Sequence, residues 1–178
     1  MITIERPTYD PVAVLPIRKE LTDVGFKELL TPEEVDAALL EASTSQSTAL
    51  VVLNSVCGCA AGNARPGVAS ALQNSRIPDR LYTVFAGMEK AAVARLREIL
   101  APLPPSSPAM ALFKDGKLAA MVHRRDIESR TADQVAELLT DLFNQHCSAK
   151  GPSIPHELYA KLELAAFCGS TMPKFQGN

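Results

Sequence analysis

With 178 residues the chain is long enough to bury one core without covalent staples, and its four cysteines are too few for a disulfide scaffold. A formal charge of -2 and a pI near 5.9 exclude the basic footprint of a general nucleic-acid binder. Apolar residues are well represented, yet no stretch approaches the length of a membrane span, so neither nucleic acid nor a membrane is an expected partner.

The opening MITIERPTYDPVAVLPI carries acids and three prolines, and its apolar part VAVLPI is too short and broken for a signal peptide. The expected location is therefore the cytosol. A short strand is expected around residues 26–30. At Thr31, TPEEVDAALLEA combines a Thr N-cap, Pro32 at the first helical position and Glu34 closing a capping box. Val35, Ala38, Leu39 and Ala42 then share one helix face. TALVVLNS (48–55) is nearly continuous apolar, as a strand covered on both faces requires.

Residues 64–75 can carry a helix if Pro66 and Gly67 sit in its first turns. LYTVFAG (81–87) reads as a second buried strand, and MEKAAVARLREIL (88–100) as a helix with Ala92, Leu96, Ile99 and Leu100 inward. After a proline-rich loop, PAMALF and KLAAMVH flank Asp115-Gly116, a strong hairpin signal. His123, Arg124 and Arg125 are read as a solvated strand end whose charge suits an anionic partner. A last long helix starts at Thr131, with Gln134 completing its capping box and Val135, Leu138, Leu139, Leu142 and Phe143 in its apolar stripe. Alternating strands and helices imply parallel pairing, and the hairpin adds antiparallel strands. The expected fold is α/β and thioredoxin-like, a mixed central sheet flanked by helices. Residues 1–147 form that domain with an N-terminal extension. Residues 148–178 form a C-terminal extension with a short helix at 156–167.

Directly after the first long strand, NSVCGCAAGNARPG (54–67) sets Cys57 and Cys59 one residue apart. In a reducing compartment so close a pair is redox-active or metal-binding, with an inert buried pair as the third reading. Metal binding would draw on His146, Cys147, His156 or Cys168, but zinc sites usually show two tight pairs and the second half here is scattered. In an open α/β sheet, sites form at the carboxyl ends of the parallel strands, where Cys57 and Cys59 fall. A helix starting there favours the thiolate at Cys57, and residues 42–78 contain no Asp or Glu. A disulfide closed across one residue makes a small, strained ring. Such bonds are easily reduced, which suits shuttling better than stapling.

NSVCGCAAGNARPG, TVFAG and PSSPAMALF together resemble the bacilliredoxins, thioredoxin-like proteins of bacteria that use bacillithiol. ELTDVGFKELLTPEEVDAAL and the helix ending FNQHC resemble them too, so the similarity covers about residues 10–147. The resemblance implies removal of bacillithiol from mixed disulfides on protein cysteines, or weak disulfide isomerase activity. Cys57 matches the attacking cysteine, and Cys59 the resolving one. Pro108 matches the cis-proline that faces the redox pair, leaving the Ser107 backbone free to bind substrate. Gly58 tolerates unusual backbone angles between the thiols, and Arg65 would serve as a cation near the thiolate or for the carboxylates of bacillithiol. No metal or organic cofactor is implied. Bacillithiol is the co-substrate, and the partners are S-bacillithiolated or disulfide-bonded proteins and a low-molecular-weight thiol. A general disulfide isomerase or reductase, and a non-catalytic metal-binding module, are the competing readings.

Overall fold

A computed structural model describes residues 6–162, 164 and 172–177. Its centre is β2 (Thr48–Asn54), in which every side chain is buried. Alternate side chains point to opposite faces of a strand, and β2 uses both. Leu50 and Val52 enter one core cluster, while Ala49, Val51 and Leu53 enter another. β2 is parallel to β4 (Arg80–Phe85), which is parallel to the two-residue β1 (Lys27–Glu28). On its other side β2 is antiparallel to β5 (Ala109–Lys114), and β5 to β6 (Lys117–Val122). The order β1-β4-β2-β5-β6 gives the mixed, thioredoxin-like sheet expected.

Helices cover both faces. α2 (Pro32–Thr44) and α4 (Lys90–Ile99) supply Val35, Leu39 and Leu96 to the cluster of Val51 and Leu53. α3 (Arg65–Ala71) and α6 (Ala132–His146) supply Val68, Leu139 and Phe143 to that of Leu50 and Val52. Both expected capping boxes form. Glu34 N donates to Thr31 Oγ1 at 3.2 Å, and Gln134 N to Thr131 Oγ1 at 3.3 Å. The hairpin turns through Asp115 and Gly116 with φ of 54° and 75°, the left-handed region that a two-residue type I′ turn needs.

Gly67 is where α3 meets α6. A Cβ there would lie 2.7 Å from Val135 Cγ1 and 2.9 Å from the Ala132 carbonyl oxygen. Gly67→Ala therefore lowers stability by about 1–3 kcal/mol through overpacking, read from urea midpoints.

Four features differ from the sequence reading. α1 (Leu15–Thr22) forms where only a broken apolar run was expected, with Pro16 in its first turn and Ile17 and Leu21 buried. The helix expected over 64–75 begins earlier, at residue 58, and passes through a π-helical turn (Ala60–Ala64) before α3. Pro66 has no N–H for the carbonyl four residues back, and the wide turn lies just ahead of it. His123, Arg124 and Arg125 are not a strand end: His123 caps α5 (Arg124–Glu128). In the tail, α7 (His156–Tyr159) stops well before 167, and residues 163 and 165–167 lie outside the described set.

The segment after α6 joins the body at two places. β7 (Ala149–Lys150) pairs antiparallel with β3 (Arg76–Ile77) in a second small sheet. Further on, Phe175 N donates to Thr8 O at 3.1 Å, and Asp10 N donates to Pro173 O at 3.0 Å. Lys174 Nζ lies 4.8 Å from the Tyr9 ring centroid. Met172 packs against Val14, Ile17, Val56, Phe85 and Met88.

Candidate active site

The sheet topology brings four chain segments to one edge. β2 and β4 run parallel and end there, at Asn54 and Phe85. β5 runs the other way and starts there, with Ala109 opposite Leu53. β6, antiparallel to β5, ends there at Val122. The edge therefore carries residues 55–59, the loop 106–108, and His123 with α5.

Cys57 and Cys59 are free thiols, each partly exposed, and Gly58 between them is exposed. Cys57 occupies the cap position: its carbonyl accepts from Ala60 N and Ala61 N, both at 3.1 Å. Gly58 and Cys59 lie in the first helical turn. With both thiols free, Gly58 is not among the glycines at positive φ. The Cys57 N–H donates to Ser55 Oγ at 3.2 Å, and Ser55 N to Asn54 Oδ1 at 2.8 Å. Two polar residues thus replace the apolar run of β2 just before the thiols, and their hydrogen bonds set the path of the chain to Cys57.

Arg65 fastens that path from below. It is the largest fully buried side chain, 1% exposed, although arginine is almost never buried without a partner. Its Nε donates to Glu20 Oε2 at 2.7 Å, and its Nη1 to Ser55 O at 2.8 Å and Asn54 Oδ1 at 3.2 Å. Glu20, on α1, is itself 4% exposed. The expectation that Arg65 meets bacillithiol is therefore corrected: its guanidinium is sealed from solvent and ties Glu20 of α1 to the loop before Cys57.

The cation on the open side is Arg124. Its N–H donates to Ser106 Oγ at 2.7 Å, joining α5 to the loop that precedes Ser107 and Pro108. Asn63 Nδ2 donates to Ile127 O at 3.2 Å, joining α5 to the π-helical turn after Cys59. Arg124 is held above the ordinary arginine value, first by its hydrogen bond to Glu128, then by the negative charge of Cys57 and Cys59 as thiolates. The Ser107–Pro108 peptide is cis. Continuing the β5 register by one residue sets Pro108 beside Asn54. Sequence reading missed Glu20, Asn54, Ser55 and Ser106, and mentioned Arg124 only as loose surface charge. A visible signal for two of them was the polar pair Asn54-Ser55 interrupting an apolar strand.

Cys147 belongs elsewhere. It ends α6, is buried, and shares with Thr48 the opposite end of β2, a strand length of roughly 20 Å from Cys57. Burial pushes its thiol up from the ordinary 9.0 to about 11, partly offset by a hydrogen bond with Thr48. A neutral alkylating reagent at pH 8 is expected to modify Cys57 and Cys59 in the native protein and Cys147 only after unfolding, read by peptide mapping. Between pH 9 and about 11 the unfolded chain ionises this thiol before the folded one does. The stability it contributes below pH 9 is lost across that window, a slope absent from Cys147→Ala. Among the described residues no group of three or more His, Cys, Asp or Glu is arranged to hold a metal ion, and no helix is long and apolar enough to cross a membrane. Cys168 lies outside the described residues.

A family model described as disulphide isomerase matches residues 9–147. A bacilliredoxin of Halalkalibacterium halodurans is 52% identical over 134 residues, 75% of this chain and 91% of that one. Bacilliredoxins of Salinibacter ruber and Geobacillus kaustophilus are 51% and 48% identical, covering 81% and 83% of this chain and 84% and 98% of theirs. A crystal structure of thioredoxin O2 from Arabidopsis thaliana in the oxidised state aligns with a TM-score of 0.46 at 18% identity, covering 67% of this chain and 96% of that chain. With half its residues shared along nearly the full length of these relatives, and two free thiols at the strand-end edge of the sheet, the chain is a thiol–disulfide oxidoreductase and belongs to the bacilliredoxin family.

Proposed function

We propose that this protein removes bacillithiol from mixed disulfides on cytosolic protein cysteines, with Cys57 attacking and Cys59 resolving. One observation carries the reading: two free, partly exposed thiols stand one residue apart where β2 ends and a helix begins. The Cys57 thiolate attacks the bacillithiol sulfur of the mixed disulfide. That bond breaks, the target leaves as a thiolate, and bacillithiol is now disulfide-bonded to Cys57. The Cys59 thiolate then attacks Cys57 Sγ, releasing bacillithiol as a thiolate and leaving a Cys57–Cys59 disulfide. Alternatively a second bacillithiol takes the first as a small disulfide and returns Cys57 reduced. Each step exchanges one sulfur for another, so no metal or organic cofactor is required. Gly58, Ser107 and Pro108 line the approach and are proposed to bind the substrate backbone.

The test is to mix the reduced Cys59→Ser chain with a bacillithiol-modified target and identify the adduct by mass spectrometry. Bacillithiol on Cys57, with an equal yield of free target thiol, is the expected result; an adduct confined to Cys147 or Cys168 rejects it. The disulphide isomerase description of the matching family model favours a second reading, general isomerisation. Reactivation of a scrambled disulfide protein, with no preference for bacillithiol-modified targets, would select that one.

A further inference from the structure

A basic corner adjoins the thiols on the same sheet edge. Arg124 and Arg125 are consecutive, with side chains 49% and 80% exposed. A surface hollow of about 150 Å³ lies beside them, lined by Pro104, Pro105, Ser106, His123 and Arg125. Two hydrogen bonds hold this corner in place. Arg124 N to Ser106 Oγ ties it to the loop before Pro108, and Asn63 Nδ2 to Ile127 O ties it to the turn after Cys59. The neighbouring acids leave much of its charge unspent. Arg124 Nε meets Glu128 Oε2 at 3.1 Å, while Arg125 Nε comes only within 4.0 Å of Asp126. Arg65, the arginine expected from sequence to meet the small thiol, is sealed inside.

We propose that Arg124, Arg125 and the hollow beside them receive the carboxylate-bearing end of the low-molecular-weight thiol while its sulfur exchanges with Cys57. The inference rests on the bacillithiol reading above and adds the site that recognises the small molecule. Guanidinium groups present paired N–H donors that match a carboxylate. The hollow is well below the usual size of a drug-like pocket, so it takes one arm of a small molecule and not a protein loop. Arg124 lies close enough to Cys57 and Cys59 to interact with their charge, which sets the corner within reach of the exchanging sulfur.

The test compares two small disulfides on the reduced Cys59→Ser chain: oxidised bacillithiol, which is anionic, and bis(2-hydroxyethyl) disulfide, which is neutral. Cys57 attacks either one, keeps one half and releases the other as a thiolate. The readout is the ratio of the two rates within each protein, which cancels differences in folding or general thiol reactivity. Arg125→Ser is expected to lower this ratio about fivefold, the worth of one partly exposed charge contact, and adding Arg124→Gln to lower it further. In the parent protein the ratio should also shrink at about 1 M salt, where the Debye length is about 3 Å. A ratio unchanged by the arginine substitutions overturns the subsite and leaves the bacillithiol reading standing. A parent protein inert to oxidised bacillithiol yet reactive with the neutral disulfide overturns both. If an acidic peptide disulfide depends on Arg125 and oxidised bacillithiol does not, the corner serves protein partners and the small-thiol assignment falls.

Discussion

Replacing Cys57 by serine is expected to reduce release of bacillithiol from a modified target to the rate of the uncatalysed exchange, whereas Cys59→Ser retains the first step and accumulates a mixed disulfide on Cys57. A hydroxyl is not ionised near neutrality and forms no disulfide, so the first substitution removes the attacking group itself. The second leaves that group in place, with the Arg124 charge and its position at the start of a helix intact. Single-turnover release of the target thiol, paired with mass spectrometry of the trapped species, distinguishes the two. Equal loss in both variants would mean that the thiols act as a unit, and the assigned order of attack and resolution would fall.

Arg65→Ala is expected to destabilise the fold by about 3–5 kcal/mol, the usual cost of removing one member of a buried ion pair. It leaves the Glu20 carboxylate buried without that guanidinium and withdraws the donors from Ser55 O and Asn54 Oδ1. For a chain of this length the corresponding fall in melting temperature is about 6–20 °C. Arg65→Lys should rescue little, because a single ammonium cannot reproduce the fork that reaches Glu20, Asn54 Oδ1 and Ser55 O together. A substrate-binding role predicts the opposite pattern, unchanged melting with weakened substrate affinity. Calorimetry beside kinetics separates the two.

These two residues also mark how far the sequence could be read. Cys57 and Cys59 were legible because the signals around them are local: an apolar run ends, two thiols follow, and a helix can begin. The capping boxes at Thr31 and Thr131 and the Asp115-Gly116 turn were legible for the same reason. Arg65 was not, because its environment depends on Glu20, 45 residues away in the chain, meeting it in three dimensions. Arg124 was under-read because α5 has only five residues, too few to leave a helical period, and because its relation to Cys57 arises only when β6 ends at the same edge as β2. α1 was hidden by Pro16, which its first turn in fact accepts. β3 and β7 are two residues each, short enough to leave no alternation at all.

The pairing of residues 172–176 with the amino-terminal segment bears on what supports the site. Met172 packs against the cluster that includes Val56, the residue before Cys57, and Thr8 N donates to Gly87 O just past the end of β4. Residues 8–10 and 172–175 thus lie together beside the end of β4. Among the described residues, the β5–β6 flank carries the exposed Arg124 and Arg125 side chains. The two terminal segments brace each other and the cluster beneath the start of the Cys57 loop, so a cut in either one loosens the support of both.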